Sequence, residues 1–348
     1  MTKINLKALS RTDLPEFIQT QGLPTFRAKQ LVHCIYERRI EQVRGISEYS
    51  KDLRERLDTL AYISNLNLME RRVSEDGTAK FLWELGDGET IESVLIADDD
   101  RLTLCISSQV GCALRCAFCL TGTLGLQRNL EPHEIADQIL SAARLVAPRA
   151  ITNIVLMGMG EPLMNFENVA EALWRMTDWM RIPPRRITLS TAGVVPKIAE
   201  LAKKAPMVNL AISLNATTDA VRDRIMPINK TYPLKQLLSA CRDFPLPPRR
   251  RITFEYVLLK GVNDTPEDAK RLNELLRGIL AKVNLIPFNP FPGAPFERPE
   301  DRRVQAFQEL LTGKHMTTLI RRSKGQDILA ACGQLRAAKQ PTHSRASS

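Results

Sequence analysis

Between Ser10 and Ile35 the apolar positions recur with helical spacing. Leu14, Phe17 and Ile18 share one face after Ser10, a suitable cap, and Gly22 can end the segment. After Pro24, Ala28, Leu31, Val32 and Ile35 repeat the i, i+3, i+4, i+7 stripe, decorated by Arg27, Lys29, Arg38 and Arg39. A small, basic, helical unit is the expectation for this region. From Ala79 the period changes. Residues 79–85 and 89–97 read as two strands joined by the turn pair Asp87-Gly88. After Leu102 strand and helix alternate, with strands expected at 102–107, 151–157, 186–190, 208–214, 252–258 and 283–287. The clearest intervening helix is 132–146, with Pro132 at its first turn and Ile135, Ile139, Ala142 and Val146 on one face. Six βα repeats predict an α/β fold, a partial (βα)6 barrel with helices outside and ligand sites at the C-terminal strand ends.

A chain of 348 residues, 44% hydrophobic, has room for one such core and a small accessory domain. The division expected is a helical accessory RNA-binding domain at 1–72, a linking β-hairpin at 73–97, the barrel at 98–331, and a C-terminal segment at 332–348 whose tail after Arg336 is polar and expected to be disordered. A formal charge of +10 favours a polyanionic partner. No apolar run reaches the roughly 18 residues of a membrane span. Charged residues interrupt the first 21 positions, so no secretory signal is visible and a reducing cytoplasm is expected. Seven cysteines, an odd number, do not suggest a disulfide framework in such a chain.

Three cysteines fall in Cys112-Ala-Leu-Arg-Cys116-Ala-Phe-Cys119, directly after the first barrel strand. Three thiolates on one loop can ligate three irons of a 4Fe-4S cluster and leave the fourth open to a small molecule. Phe118 can shield such a cluster. Structural zinc is the alternative, but zinc takes four ligands and no second cysteine pair follows. Other strand ends carry small or polar groups: Gly158-Met-Gly160-Glu161-Pro, Ser190-Thr-Ala-Gly, Ser213-Leu214-Asn215-Ala, and Asn289. Glycines permit close backbone approach to a ligand, and Glu161 offers a carboxylate to an amino group.

The C-x3-C-x2-C motif in this setting resembles the radical S-adenosylmethionine (SAM) superfamily. The segments Cys105-Ile-Ser-Ser-Gln-Val-Gly-Cys112, Gly158-Met-Gly-Glu-Pro-Leu163, Ile286-Pro-Phe-Asn-Pro290 and Ala330-Ala-Cys332-Gly-Gln-Leu335 further resemble the bacterial adenine-C2 RNA methyltransferases, which modify 23S ribosomal RNA and transfer RNA. The resemblance spans nearly the whole chain. It implies a 4Fe-4S cluster on Cys112, Cys116 and Cys119, and SAM held by Gly160, Glu161, Ser190, Ser213, Leu214, Asn215 and Asn289. It implies that Cys332 accepts a methyl group from one SAM, that a second SAM yields a deoxyadenosyl radical which activates that methyl, and that the carbon adds to C2. Glu92 is then the proton acceptor. Cys105 attacks the Cys332 sulfur, forming a transient disulfide that frees the RNA. Flavodoxin or ferredoxin is the implied electron donor, and a monomer is expected. Two departures stand out: Leu120 where the family often has Ser, and Asn215 where it often has His.

From the residues alone, Glu92 looks like an outward-facing strand residue, opposite Ile91, and Cys105 is as natural in a core as in a site. Cys332, near Gly325 and Gly333, is expected on a mobile segment. Cys34 and Cys241 fit helices and match no motif. RNA contact is expected from Arg185-Arg186, Arg249 to Arg251, Arg302-Arg303 and Arg321-Arg322. Competing activities are methylation at adenine C8, glycyl-radical activation of a protein, and non-catalytic RNA binding around a structural metal.

Overall fold

A computed structural model of the chain describes residues 3–336. Its centre is a ten-stranded sheet in the order β14-β13-β12-β11-β10-β9-β6-β5-β4-β3. The parallel part comprises β6 (Arg101–Cys105), β9 (Asn153–Leu156), β10 (Ile187–Thr191), β11 (Asn209–Ser213), β12 (Ile252–Leu258), β13 (Ala281–Pro287) and β14 (Thr318–Ile320). Six of these are the expected strands, with ends moved by up to two residues. β14 is a seventh, too short to leave a periodic signal.

The helices α4 (Pro132–Leu145), α5 (Phe166–Trp174), α6 (Val195–Lys204), α7 (Asp219–Ile225), α8 (Leu234–Asp243), α9 (Pro266–Leu275) and α10 (Asp301–Thr312) connect the strands. The start of α4 is fixed by a capping box between Glu131 and Glu134, with Pro132 next. Inner residues such as Leu104, Leu156, Leu189, Ile212, Phe254 and Leu285 are fully buried. They form one core with the inward helix faces.

The hairpin is present, as β4 (Ala79–Glu84) and β5 (Thr90–Asp98). It does not stand apart as a link: β5 pairs antiparallel with β6, and β3 (Asn67–Val73) pairs antiparallel with β4. β3 runs across residue 72, in a stretch expected to be helical. Its alternating half-buried and exposed positions are those of an edge strand.

The N-terminal unit holds α1 (Asp13–Thr20), α2 (Phe26–Val32) and α3 (Lys51–Leu60), with β1 (Ile4–Asn5) beside β2 (Ala61–Tyr62). Leu14, Phe17, Ile18, Ala28, Leu31 and Ile35 form its core and pack on Ala136 and Leu140 of α4. Across this contact Lys7 Nζ meets Asp137 Oδ1 at 2.6 Å, both side chains buried. Arg175 Nη1 donates to Lys7 O at 2.6 Å. Burial pushes the Lys7 pKa down and that of Asp137 up, while each partner's charge opposes the shift.

Candidate active site

The cluster loop lies between two short antiparallel strands, β7 (Gln109–Gly111) and β8 (Leu126–Asn129). Gly111, at φ +79°, sits against the Gly125 carbonyl where a Cβ has no room. Cys112 N donates to that carbonyl at 2.8 Å, and Cys119 N donates to Cys116 O at 3.1 Å. Ala117 N, between the second and third cysteines, donates to Ile225 O at 2.9 Å, so mostly local backbone geometry and one long-range bond set the three thiols. Burial pushes Cys112 up to about 12, Cys116 well above its ordinary range, and Cys119 up. Cys112 and Cys119 raise Cys116 further, so the thiols are close enough to repel as thiolates.

These cysteines form one wall of a cavity of about 170 Å³ at the C-terminal ends of the parallel strands. The opposite wall carries Gly160, Glu161, Ser190, Ser213, Asn215 and Asn289. Among the described residues no three His, Cys, Asp or Glu side chains converge as ligands of one ion. Zinc would require its thiolates about 2.3 Å from a single metal. The trio suits a multi-iron cluster instead: three adjacent thiols, one buried and two half-buried, need added positive charge to ionise together, and an open space adjoins them.

The other expected site residues divide between the cavity and its frame. Gly158 and Gly160 line the cavity, but the requirement for glycine comes from the protein itself. A Cβ at Gly158 would lie 2.7 Å from Ile106 O, and one at Gly160 would lie 2.6 Å from the Gln109 side chain. Glu161 accepts from Ala192 N at 2.7 Å and Leu163 N at 3.0 Å, and burial raises its pKa against those bonds. The neighbouring Thr191 side chain also favours the carboxylate form, and Glu161 lines the cavity. Asn215, in the left-handed region at φ +59°, accepts from Val257 N at 2.8 Å. Leu214 is buried; its N–H goes to Glu255 O and it does not line the cavity.

Cys332 lines the cavity beside Cys119 and Phe118. Its segment, residues 325–336, is strapped down rather than loose. Gly325 N donates to Asp76 Oδ2 at 2.9 Å, and Ser74 Oγ to Asp327 Oδ1 at 2.6 Å. Leu120 N donates to Gly333 O at 2.7 Å, and Thr121 Oγ1 to Leu335 O at 2.8 Å. Asn289 Nδ2 donates to Cys332 O at 3.3 Å. Residues 337–348, expected as a tail, lie outside the described residues. Cys105, at the end of β6, is pushed up to about 12 by burial and next by the nearby Cys332 charge.

Glu92 is not outward-facing: it is 4% exposed. Its carboxylate sits between Lys80 Nζ, 3.1 Å from Oε1, and Arg336 N, 2.8 Å from Oε2. The strap covers the face that alternation assigned to solvent.

Three residues escaped sequence reasoning. Glu255 and Arg321 line the cavity, and the Cys332 thiolate is the strongest influence raising the Arg321 pKa. Arg321 therefore faces inward, not toward bulk solvent as an RNA contact would. Lys80 is the third. A glutamate inside the apolar run Ile252-Thr-Phe-Glu255-Tyr-Val-Leu was the one visible signal. Among the arginine clusters, Arg185-Arg186 and Arg249 to Arg251 precede β10 and β12, at the end of the sheet away from the cavity.

Residues 106–273 match the Radical SAM superfamily, and residues 4–63 match the ribosomal RNA large subunit methyltransferase N-terminal domain. The chain is 53% identical over 346 residues to the dual-specificity RNA methyltransferase RlmN of Pelobacter propionicus, covering 98% of this chain and 99% of that protein. It is 51% identical to the protein of that name from Geobacter sulfurreducens, with 96% and 92% covered. A crystal structure of a radical SAM methyltransferase from Sphaerobacter thermophilus superposes with a TM-score of 0.91 at 42% identity, covering 96% of this chain and all of that one. The chain belongs to the radical SAM superfamily and, within it, to the family of the dual-specificity RNA methyltransferases RlmN.

Proposed function

We propose that this enzyme methylates C2 of an adenosine in 23S ribosomal RNA, in the peptidyl transferase loop, and in transfer RNA, 3′ to the anticodon. The observation carrying this reading is the meeting of Cys332 with the cluster cysteines on one cavity and with Cys105 behind it. Cys112, Cys116 and Cys119 would hold a 4Fe-4S cluster, and Gly160, Glu161, Ser190, Ser213, Asn215 and Asn289 would surround SAM, with Leu214 packed behind them. When bound, cluster and SAM supply a 5′-deoxyadenosyl radical. Cys332 takes a methyl group on sulfur and presents it to the base. Glu92 accepts the C2 proton, and Cys105 closes a disulfide with Cys332 to release the product.

C2 of adenine offers no nucleophile to an electrophilic methyl, which is why a sulfur carrier on the protein is wanted. The basic N-terminal unit fits a role in RNA binding. Among the described residues no helix is long and apolar enough to cross a membrane. A cytoplasmic monomer served by flavodoxin or ferredoxin completes the proposal.

Anaerobic reconstitution followed by reaction with labelled SAM and target RNA tests it. The expected outcome is two SAM consumed per 2-methyladenosine, seen by mass spectrometry. Methyl groups found only at C8 would overturn the regiochemistry. A single SAM per methyl would overturn the S-methylcysteine route.

A further inference from the structure

Lys80 is a buried lysine that the route above does not use. It lies on β4, 8% exposed, and its ammonium makes two contacts. One is Glu92 Oε1 at 3.1 Å, from β5. The other is Leu329 O at 3.2 Å, on the strap that carries Cys332. The β4–β5 register explains the first: Leu82 faces Glu92 and Lys80 faces Val94, so Lys80 and Glu92 are diagonal neighbours on one face of the sheet. The second Glu92 oxygen is capped by Arg336 N at 2.8 Å. Other charges nearby are Arg72 and Glu70 of β3, which are paired with each other at 2.7 Å and exposed.

Each oxygen of the Glu92 carboxylate carries one contact and keeps a second lone pair, so these contacts decide where the free lone pairs point. The two contacts differ in kind. The Lys80 ion pair is charge-assisted, buried and anchored on rigid strands. The Arg336 contact is a single amide on the strap. We infer that Lys80 is a positioning residue for the C2 deprotonation: it keeps Glu92 aimed and registered against the Cys332 segment, so that a free lone pair of the carboxylate meets the substrate C2–H. In that step the C2–H bond breaks, an O–H bond forms on Glu92, and the electron pair of the C–H bond passes into the purine ring. This rests on Glu92 being the proton acceptor.

The test uses full-length reconstituted enzyme carrying Lys80→Met, Lys80→Arg or Glu92→Gln. Three quantities are followed: S-methylation of Cys332, the covalent RNA–protein adduct on denaturing gels, and release of methylated RNA. Lys80→Met is expected to methylate Cys332 within about twofold of the wild-type rate. Its adduct should persist and RNA release should slow by at least about tenfold, because a misplaced base loses much of its catalytic effect. Lys80→Arg, which keeps charge and reach, should recover most of the release rate. Glu92→Gln should accumulate the adduct more strongly still. Were Lys80→Met to lose Cys332 methylation and release in parallel, or to release RNA normally, the inference would fall. Absence of adduct in Glu92→Gln would instead remove the underlying assignment of Glu92. If Lys80→Met does not fold, failure of Lys80→Arg to outperform Lys80→Gln in release overturns the inference.

Discussion

The cysteine trio of the cluster loop and the pair Cys105 and Cys332 meet at one site, but the fold assembles them by different means. Cys112, Cys116 and Cys119 lie within eight residues, and their loop is held mainly by its own backbone and by the β7–β8 ribbon, with Ala117 N tied to Ile225 O and the strap added at Leu120 and Thr121. Cys105 ends β6, whereas Cys332 arrives on a strap beyond β14. That strap is tied to the β3–β4 turn through Asp76 and Ser74, to the cluster loop through Leu120 and Thr121, and to the end of β13 through Asn289. The trio is a local device, while the pair exists only when the whole sheet is in place. Metal binding and methyl carriage should therefore separate under mutation.

The largest effects come from breaking each set in turn. Cys116→Ala removes the half-buried central thiol of the trio and is expected to abolish iron retention and SAM cleavage together. Cys332→Ala should keep its iron, measured colorimetrically after anaerobic reconstitution, and should still bind SAM. It should nevertheless lose methylated RNA by at least about a thousandfold, some 4 kcal/mol of barrier. Iron loss in Cys332→Ala would show that the two sets are not separable.

A smaller effect tests what holds the pair together. Asp327 receives Ser74 Oγ at 2.6 Å and Glu75 N at 3.4 Å. Asp327→Ala cuts both, leaving the cavity residues untouched. Hydrogen bonds to a charged group are worth about 1.5–3 kcal/mol, less at a partly exposed site. Cys332 methylation and RNA release should fall together by about three- to tenfold. This parallel loss contrasts with the split expected for Lys80→Met. A normal rate of Cys332 methylation by time-resolved mass spectrometry would show that the strap is positioned without the β3–β4 turn.

The same contrast governs what the sequence revealed. The trio is legible because its chemistry and its spacing sit in one window. Six parallel strands are legible because each is a long apolar run between turn residues, with ends misplaced by a residue or two. β14 and β3 were not, since three residues carry no period and β3 is a half-exposed edge. Glu92 was read as outward because alternation reports two faces but not what covers them; the strap comes from the far end of the chain. Arg321 read as an RNA contact and Lys80 carried no signal, for the same reason. Asp137, which pairs with Lys7, could not be picked out from an amphipathic helix, because its partner precedes it by more than a hundred residues. Resemblance to a family named Cys105, Cys332 and Glu92, but only the fold explains how they come together.

The smallest expected effect comes from a cysteine in neither set. Cys241 lies on α8, is 1% exposed, and packs within the main core. Burial pushes its thiol up to about 12, against the nearby charges of Arg242 and Arg222. At neutral pH it is therefore a protonated, apolar filler, poor as a nucleophile and as a ligand. Cys241→Ala removes one sulfur from a packed interior. Its cost should be about 1 kcal/mol, the scale of one buried methylene-sized group plus the small cavity left behind. Chemical denaturation would register that loss, while iron content stays at the wild-type level and RNA methylation within about twofold, because Cys241 does not line the cavity. Loss of iron in this variant would mean that the trio depends on core packing beneath it, and the distinction between a local device and a global one would no longer hold.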